Sequence, residues 1–289
     1  MKSKILILTP VYKDWNNLYK LLIKVNKIFK DILVQKFDLV VIDDFSNENI
    51  DLKKFKFSNI QKVKVIKLSK NVGSQRAIAI GLKFIQKFYQ KNYNLITIDS
   101  DGQDNPSDIE KLIEKNAQNN LSVVARRGQR KEPVWFKIFY EFYCLIIFLF
   151  SFKKIRYGNF SLLKFNDVNK ILKDNNLWNA FPPTVSINLK KISFLTIDRQ
   201  KRFSGKSKMN FFGLIYHALR VFSVLRYRIL FLSFLYLLIF YKMLFADHTL
   251  IFFFLFIIFF IFNFLNFILG FTNDKKLLEN FKKIKIFNY

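Results

Sequence analysis

The sequence predicts a Rossmann-like α/β fold, with a doubly wound parallel sheet, followed by helices at a membrane. Strand-like apolar runs alternate with helical patterns through the first half of the chain. Each strand-like run ends in polar residues, as strands do at the carboxyl edge where α/β sheets bind ligands. The last third contains two long apolar runs, at 229–246 and 249–271. A soluble domain joined to membrane helices is therefore expected.

The elements of the α/β domain follow in order from residue 4. The strand-like runs are residues 4–8, 37–42, 63–68, 94–98 and 121–125. Helical patterns follow the first run, at 16–29, and the third, at 74–89. In the first helix Leu18, Leu21, Leu22 and Val25 recur at helical spacing. Alternation of this kind predicts right-handed parallel crossovers, and the lack of GxGxxG after the first run argues against a dinucleotide dehydrogenase.

The segment DSDGQD, residues 99–104, is the most informative in the chain. Side chains alternate along a strand, so Asp99 and Asp101 point the same way at its carboxyl end. Two such carboxylates repel each other unless a cation lies between them, and their oxygens suit Mg²⁺ or Mn²⁺ carrying a diphosphate. The alternative for any single aspartate is a polar loop in which Ser107 or Asp104 caps the next helix.

Two apolar runs near the carboxyl end predict a transmembrane hairpin, since each approaches the roughly 20 residues that cross a bilayer. Arg226 and Arg228 precede the hairpin and several lysines follow it, so the positive-inside rule places the first domain and the tail in the cytoplasm. Two further aromatic segments, 136–152 and 210–225, have the pattern of interfacial helices, with packing against the sheet as the alternative. The amino-terminal residues show no signal-peptide pattern, and the single cysteine, Cys144, fits a reducing compartment.

The chain carries a formal net charge of +27. Nucleic-acid binding is the obvious interpretation of such a charge. The acidic strand ends and the membrane hairpin argue against it, while basic residues near a bilayer suit an anionic cytoplasmic leaflet. We therefore expect a membrane partner and no nucleic acid.

An ordered set of motifs resembles the family 2 glycosyltransferases of the GT-A fold. The segments are TPVYKD (9–14), VIDDFS (41–46), KNVGSQRAIAIGL (70–82), DSDGQD (99–104), ARRGQR (125–130) and RFSGKSKM (202–209). Within the family the chain is similar to the dolichol- and polyprenyl-phosphate glycosyltransferases, which carry membrane helices after the catalytic domain. The resemblance implies an inverting, metal-dependent hexosyltransferase of cell envelope glycan biosynthesis that uses a nucleotide-sugar donor and a lipid-linked acceptor.

The resemblance also implies a role for each motif residue. The catalytic and metal group is Asp99, Asp101 and Gln103, which would hold Mg²⁺ or Mn²⁺ and the diphosphate, with Asp104 as the base if the acceptor is a hydroxyl. The residues expected to bind the nucleotide sugar are Pro10, Tyr12, Asp14 (where the family usually has Glu), Asp43 or Asp44, Asn71, Gly73 and Arg76. The residues expected to bind phosphate or acceptor are Arg127, Arg130, Lys164, Arg202, Gly205 and Ser207, the last three on a mobile loop.

One segment departs from the pattern. The polyprenyl-phosphate enzymes commonly have a stretch like GDFRL, whose arginine is thought to contact the acceptor phosphate, and this chain has GNFSL at 158–162. Arg156 or Lys164 is the candidate replacement for that arginine. A hydroxyl of a lipid-linked or envelope saccharide is the rival acceptor, and a non-catalytic, membrane-anchored nucleotide-sugar binding protein is the rival class.

The expected organisation has four parts. Residues 1–208 form the catalytic domain, including the interfacial helix 136–152, and residues 209–225 form a second interfacial helix. Residues 226–272 form the membrane hairpin, and 273–289 a basic cytoplasmic tail. The expected location is the cytoplasmic membrane, with a multi-pass topology, and the membrane helices are a candidate surface for homo-oligomerisation.

Overall fold

A computed structural model describes residues 4–33, 35–48, 55–89, 93–128, 134–152, 155–205, 211–244, 248–271 and 285–288. The chain divides into two compact units. The first combines residues 1–131, 156–207 and 274–289, and the second combines residues 132–155 and 208–273. The helix predicted at 136–152 therefore groups with the carboxyl-terminal helices, whereas the sequence placed it in the catalytic domain.

The first unit is an α/β fold built on one sheet, which confirms the predicted fold class. Its strands are β1 (Lys4–Val11), β2 (Phe37–Asp43), β3 (Ile60–Lys67), β4 (Tyr93–Thr97), β5 (Val123–Arg127), β6 (Tyr157–Lys164), β7 (Ser193–Ile197) and β8 (Lys285–Asn288). Within the described residues their order in the sheet is β7-β5-β6-β4-β1-β2-β3-β8.

Most neighbouring strands run parallel, and β6 and β8 are the exceptions. Strand β6 pairs antiparallel with both β4 and β5, and β8 pairs antiparallel with β3. Consequently the amino-terminal end of β6 lies at the same edge as the carboxyl ends of β1, β4, β5 and β7. No strand was expected at 285–288, in the segment interpreted as a basic tail.

The helices of this unit cover the sheet. They are α1 (Trp15–Asp31), α2 (Ser74–Phe88), α3 (Asp108–Asn119), α5 (Phe165–Leu172) and α6 (Phe181–Asn188). Helix α1 buries Leu18, Leu21, Leu22 and Val25, the residues whose spacing predicts it. The core around them contains large side chains that are fully buried, such as Phe29 and Phe37, whose ring centroids lie 4.3 Å apart.

The second unit contains α4 (Val134–Ser151), α7 (Phe211–Val224), α8 (Arg226–Leu244) and α9 (Thr249–Gly270). Helix α4 packs Phe150 against Tyr236 of α8 and Phe262 of α9. Helices α8 and α9 are joined by a hydrogen bond of 3.0 Å from Asn263 Nδ2 to Ser233 Oγ. At the end of α9, Gly270 lies so close to Arg226 that a Cβ there would be 2.6 Å from Arg226 Cδ.

The described helices support one membrane span by length and composition, α9. Helices α7 and α8 qualify only as a pair, across a bend of 85° between them. Most of the side chains of α9 are exposed although nearly all are apolar, which is unlike a core helix of a soluble protein. The described helices therefore do not support the multi-pass topology that the sequence predicts.

Candidate active site

The DSDGQD segment forms a tight turn directly after β4. Gly102 has a φ of +77°, which glycine adopts without strain. A Cβ at Gly102 would also collide with the ring of Phe203, so this position excludes any side chain. The carboxylate of Asp101 accepts a hydrogen bond of 3.0 Å from the backbone N–H of Gln103, which fixes the turn.

A loop after β7 is docked onto this turn. The backbone N–H of Gln200 donates to the carbonyl of Gln103 at 2.8 Å, and that of Phe203 donates to the carbonyl of Asp101 at 3.1 Å. The guanidinium of Arg202 forms ion pairs with Asp101, at 3.2 Å, and with Asp14. The described part of the loop, up to Gly205, is thus held against the site. Gly205 has a φ of +75°, a conformation that glycine adopts without strain.

Beside the turn lies a small cleft, with room for about one water molecule. Its charged and polar walls are Asp99, Asp104, Arg127, Asn159 and Arg199. A Cβ at Gly158 would lie 2.9 Å from Arg127 Nη2, so the guanidinium passes directly over this glycine. The cleft therefore combines two carboxylates with two guanidinium groups at the carboxyl edge of the sheet.

Arg199 is absent from the residues that the sequence singled out. It lies in the basic run 199–202, RQKR, where nothing in the sequence separates it from its neighbours. Its Nε is buried and donates no hydrogen bond within the described part of the chain. Arg199 lines the same cleft as Asp99 and Asp104, and its charge partly offsets the rise in the pKa values of Asp101 and Asp104.

Burial and neighbouring carboxylates raise the pKa values of Asp101 and Asp104. Burial is the main cause for Asp101, and the charge of Asp99 adds to it. Burial and the charge of Asp99 also raise the pKa of Asp104 to about 7, against the opposing effect of Arg199 and Arg127. A cation bound between these groups would relieve the repulsion, so the donor set suits a divalent ion.

The described residues contain no cluster of three or more His, Cys, Asp or Glu side chains arranged to hold a metal alone. A cation at Asp99 and Asp101 would therefore take its remaining ligands from phosphate oxygens and water. Mg²⁺ is commonly bound in this way, through one or two carboxylates and the substrate's phosphates. The residues present fit such an ion.

The ends of β1 and β2 form the neighbouring part of the edge. The register pairs Pro10 with Ile42 and Val11 with Asp43, which brings the first two motifs together. Asp43 Oδ1 accepts from the backbone N–H of Ser46 at 2.9 Å. The half-buried Tyr12 lies beside Lys13, whose Nζ is 5.4 Å from the ring centroid.

Asp44 has a structural role, which the sequence does not reveal. Its two carboxylate oxygens accept hydrogen bonds from the backbone N–H groups of Val72 and Gly73, at 2.7 and 2.9 Å. Burial raises its pKa to about 6, although these two bonds oppose the shift. Asp44 thus holds the turn before α2, where Gly73 has a φ of +86°. Asn71, just before that turn, is exposed, and Arg76 on α2 is half-buried.

Lys164 is an expected phosphate-binding residue that the structure places away from the cleft. Lys164 lies at the far end of β6, opposite Asn94, and its Nζ donates to the carbonyl of Asn120 at 2.9 Å. Because β6 is antiparallel to β4, this end of the strand is at the opposite edge of the sheet from Asp99. Arg130 and Ser207 lie outside the described residues.

With this geometry established, comparison with known proteins gives the class. The glycosyl transferase family 2 model matches residues 6–178, more than half of the chain. The chain therefore belongs to glycosyl transferase family 2 and is a glycosyltransferase.

Curated relatives agree with this class. An uncharacterised glycosyltransferase from Synechocystis sp. is 26% identical over 231 residues, which cover 74% of this chain and 67% of the relative. The undecaprenyl-phosphate 4-deoxy-4-formamido-L-arabinose transferase of Proteus mirabilis is 31% identical over 138 residues, 47% of this chain and 40% of the relative. The match thus spans about two thirds of the first protein and two fifths of the second.

Solved structures share the fold. Glucosyl-3-phosphoglycerate synthase from Mycobacterium tuberculosis is 13% identical, with a TM-score of 0.51 over 78% of this chain and 80% of that protein. S. aureus TarS, residues 1–349, is 15% identical, with a TM-score of 0.50 over 78% of this chain and 65% of that protein. At these identities the likeness concerns the fold alone.

Proposed function

We propose that this chain transfers a sugar, with inversion, from a nucleoside diphosphate sugar to a polyprenyl-phosphate lipid at the cytoplasmic membrane. The observation that carries the proposal is the pair Asp99 and Asp101. These carboxylates follow β4 of a family 2 domain, beside two arginines, in a chain that continues into exposed apolar helices. The name of the P. mirabilis relative supports a polyprenyl-phosphate acceptor.

The donor would lie along the carboxyl edge of the sheet. Pro10, Tyr12 and Asp43 would contact the nucleoside, with Asn71, Gly73 and Arg76 beside it, while Asp44 keeps the turn before α2 in place. The M. tuberculosis synthase was solved with Mn²⁺ and UDP, which supports a nucleoside diphosphate and a divalent cation here. Asp99, Asp101 and the Gln103 side chain would hold Mg²⁺ or Mn²⁺, which would act as a Lewis acid toward the leaving diphosphate.

The acceptor phosphate would approach beside the cleft. Arg127 and Arg199 line it, and a guanidinium can donate two hydrogen bonds to one phosphate group. A phosphate is already ionised at neutral pH, so it needs no general base to attack the anomeric carbon. Arg130, Arg202 and Ser207 remain candidates for further phosphate contacts, on the residues' chemistry alone.

A membrane hairpin of α8 and α9 would anchor the chain in the bilayer that holds the lipid. The hydrogen bond between Asn263 and Ser233 and the close approach at Gly270 support close packing of these two helices. With basic residues before and after the hairpin, the catalytic domain and the tail would both be cytoplasmic. The exposed apolar side chains of α9 would contact lipid or a second copy of the chain.

One observation favours a second acceptor, a sugar hydroxyl. Asp104 lines the same cleft as Asp99, Arg127 and Arg199. A carboxylate in that place could take a proton from a hydroxyl nucleophile. The lipid phosphate remains the first candidate, because Asp104 is also explained as a member of the carboxylate cluster.

The test uses membranes that contain the full chain. They are incubated with a panel of nucleotide sugars and Mn²⁺, and the lipid extract is analysed by mass spectrometry. We expect one sugar added to a polyprenyl phosphate, and no product with EDTA. A sugar added to a longer lipid-linked saccharide would support the hydroxyl acceptor, and nucleotide-sugar binding without any product would support the non-catalytic class.

A further inference from the structure

A chain of side-chain amides leads from α6 through α2 and β6 to Asp99. The backbone N–H of Phe181 donates to Gln75 Oε1 at 2.8 Å, and Gln75 Nε2 donates to Asn159 Oδ1 at 2.8 Å. Asn159 Nδ2 then donates to Asp99 Oδ1 at 3.0 Å. Gln75 and Asn159 are both buried. Two amides thus connect the middle of the fold to a carboxylate of the candidate site.

The direction of every bond in this relay is fixed by its two ends. A backbone N–H can only donate, and an ionised carboxylate can only accept. The orientations of Gln75 and Asn159 therefore follow from the network, although the oxygen and nitrogen of an isolated amide are hard to tell apart. Asn159 must present its N–H to Asp99.

Asn159 is also held by its main chain. Its carbonyl accepts a hydrogen bond from the hydroxyl of Thr97, the last residue of β4, two positions before Asp99. The hydroxyls of Thr97 and Ser161 lie 2.7 Å apart, so β4 and β6 are joined by side chains as well as by the ladder. The donor to Asp99 therefore stands on a rigid part of the sheet.

We propose that Asn159, oriented by Gln75, is a positioning residue that fixes the Asp99 carboxylate for the divalent cation and the donor diphosphate. This role rests on the proposed function, since it assigns Asp99 to that ligand. Asn159 holds one oxygen of Asp99, and the other accepts no hydrogen bond from the residues that the structure describes. Amide contacts behind a metal-binding carboxylate set its direction and its affinity.

The neutrality of Asn159 is part of this role. Asp99, Asp101 and Asp104 already repel one another at this edge. A fourth carboxylate at position 159 would face Asp99 oxygen to oxygen, where no hydrogen bond can form without an added proton. The asparagine in GNFSL, where the related pattern has an acid, therefore gives Asp99 a donor and adds no charge to the cluster.

The chain offers a matched control for the buried pair. On the same helix, Gln86 Nε2 donates to Asn169 Oδ1 at 3.1 Å, in an exposed pair of the same two residue types. The test variants are Gln75→Met and Asn159→Asp, and the controls are Gln86→Met and Asn169→Asp. Binding of UDP, or of GDP if the wild-type chain prefers it, is measured by calorimetry with Mn²⁺ and with EDTA, and the melting temperature of each variant is recorded.

We expect both test variants to weaken Mn²⁺-dependent nucleotide binding by about 10-fold or more. Their binding in EDTA and both control variants should match wild type. The role is wrong if a folded Gln75→Met or Asn159→Asp keeps the Mn²⁺ dependence of wild type, even with a lower melting temperature. Either variant decides the question if the other fails to fold. A wild-type chain whose nucleotide binding ignores Mn²⁺ would overturn both this role and the proposed cation.

Discussion

The guanidinium of Arg202 lies 3.2 Å from the carboxylate of Asp101 and also pairs with Asp14. The two acids follow neighbouring parallel strands, β4 and β1, while Arg202 comes from the loop after β7. One basic side chain thus joins two ends of the candidate site. Because Asp101 is also a proposed cation ligand, Arg202 and a divalent ion compete for the same negative charge.

Arg202→Ala should therefore change two quantities in opposite directions. Without the ion pair, the affinity for Mn²⁺ should rise by a factor that corresponds to roughly 0.5–1 kcal/mol. The kcat/KM for the lipid should fall, because the positive charge of the Arg202 guanidinium near the phosphates is lost. Titration of Mn²⁺ by calorimetry and steady-state kinetics measure the two effects. Lys201→Ala, an exposed neighbour on the same loop, serves as the control. Unchanged Mn²⁺ affinity in Arg202→Ala would contradict the competition.

Arg199→Ala should weaken binding of the acceptor and leave binding of the donor unchanged. Loss of one charged hydrogen bond to phosphate, worth about 1.5–3 kcal/mol, corresponds to a KM for polyprenyl phosphate roughly 10- to 100-fold higher. The KM for the nucleotide sugar should stay near wild type. Lys191→Ala removes one exposed charge before β7, at the opposite end of that strand, and is the matched control. A rise in the donor KM instead would show that Arg199 contacts the donor and not the acceptor.

Asp104→Asn separates the two acceptor classes. With a lipid phosphate, the variant should keep most of its turnover, because the nucleophile arrives ionised. With a sugar hydroxyl, loss of the base should lower kcat by about 10²- to 10⁴-fold while donor binding stays intact. Single-turnover transfer at saturating donor, together with calorimetry of the nucleoside diphosphate, distinguishes these results. A variant that binds donor normally and transfers nothing would reject the lipid phosphate.

Gly270→Leu should destabilise the packing of α8 on α9. The leucine would collide with Arg226, and overpacking typically costs about 1–3 kcal/mol. We expect a lower melting temperature in detergent, measured on the full chain. Ile268→Leu, at an exposed position two residues earlier, should leave it unchanged. Equal melting temperatures for the two variants would show that the helices are not closely packed at this point.

The first five strands could be predicted because each is an apolar run with polar residues at its end. The sequence pattern does not predict strands β6 and β7, which place the GNFSL segment and Arg199 beside Asp99. Strand β8 lies in a lysine-rich segment whose composition is that of an exposed tail. The membrane helices are predicted from their length and apolar content, which indicate that a helix can span a bilayer but not how many times the chain crosses it.

The motif aspartates could be predicted from the sequence because they lie where apolar strand-like runs end. The hydrogen-bond and ion-pair partners of the site residues could not be predicted. Asp14 and Arg202 are 188 positions apart, and Gln75 and Asn159 are 84 apart, so only the folded sheet brings each pair together. Asp43 and Asp44 look equivalent in VIDDFS, and both are buried. The structure alone shows that Asp43 accepts a hydrogen bond from Ser46, whereas Asp44 accepts from Val72 and Gly73.

The most direct test of the central claim is sugar transfer by the purified full chain to undecaprenyl phosphate, compared between wild type and Asp101→Asn. Release of nucleoside diphosphate and the glycosylated lipid are measured together, with Mn²⁺ and with EDTA. We expect wild type to form both products in equal amounts only with the metal, and folded Asp101→Asn to form neither, since a proposed cation ligand is lost. Near-normal transfer by Asp101→Asn at saturating Mn²⁺, or wild-type transfer that persists in EDTA, would contradict the proposed site.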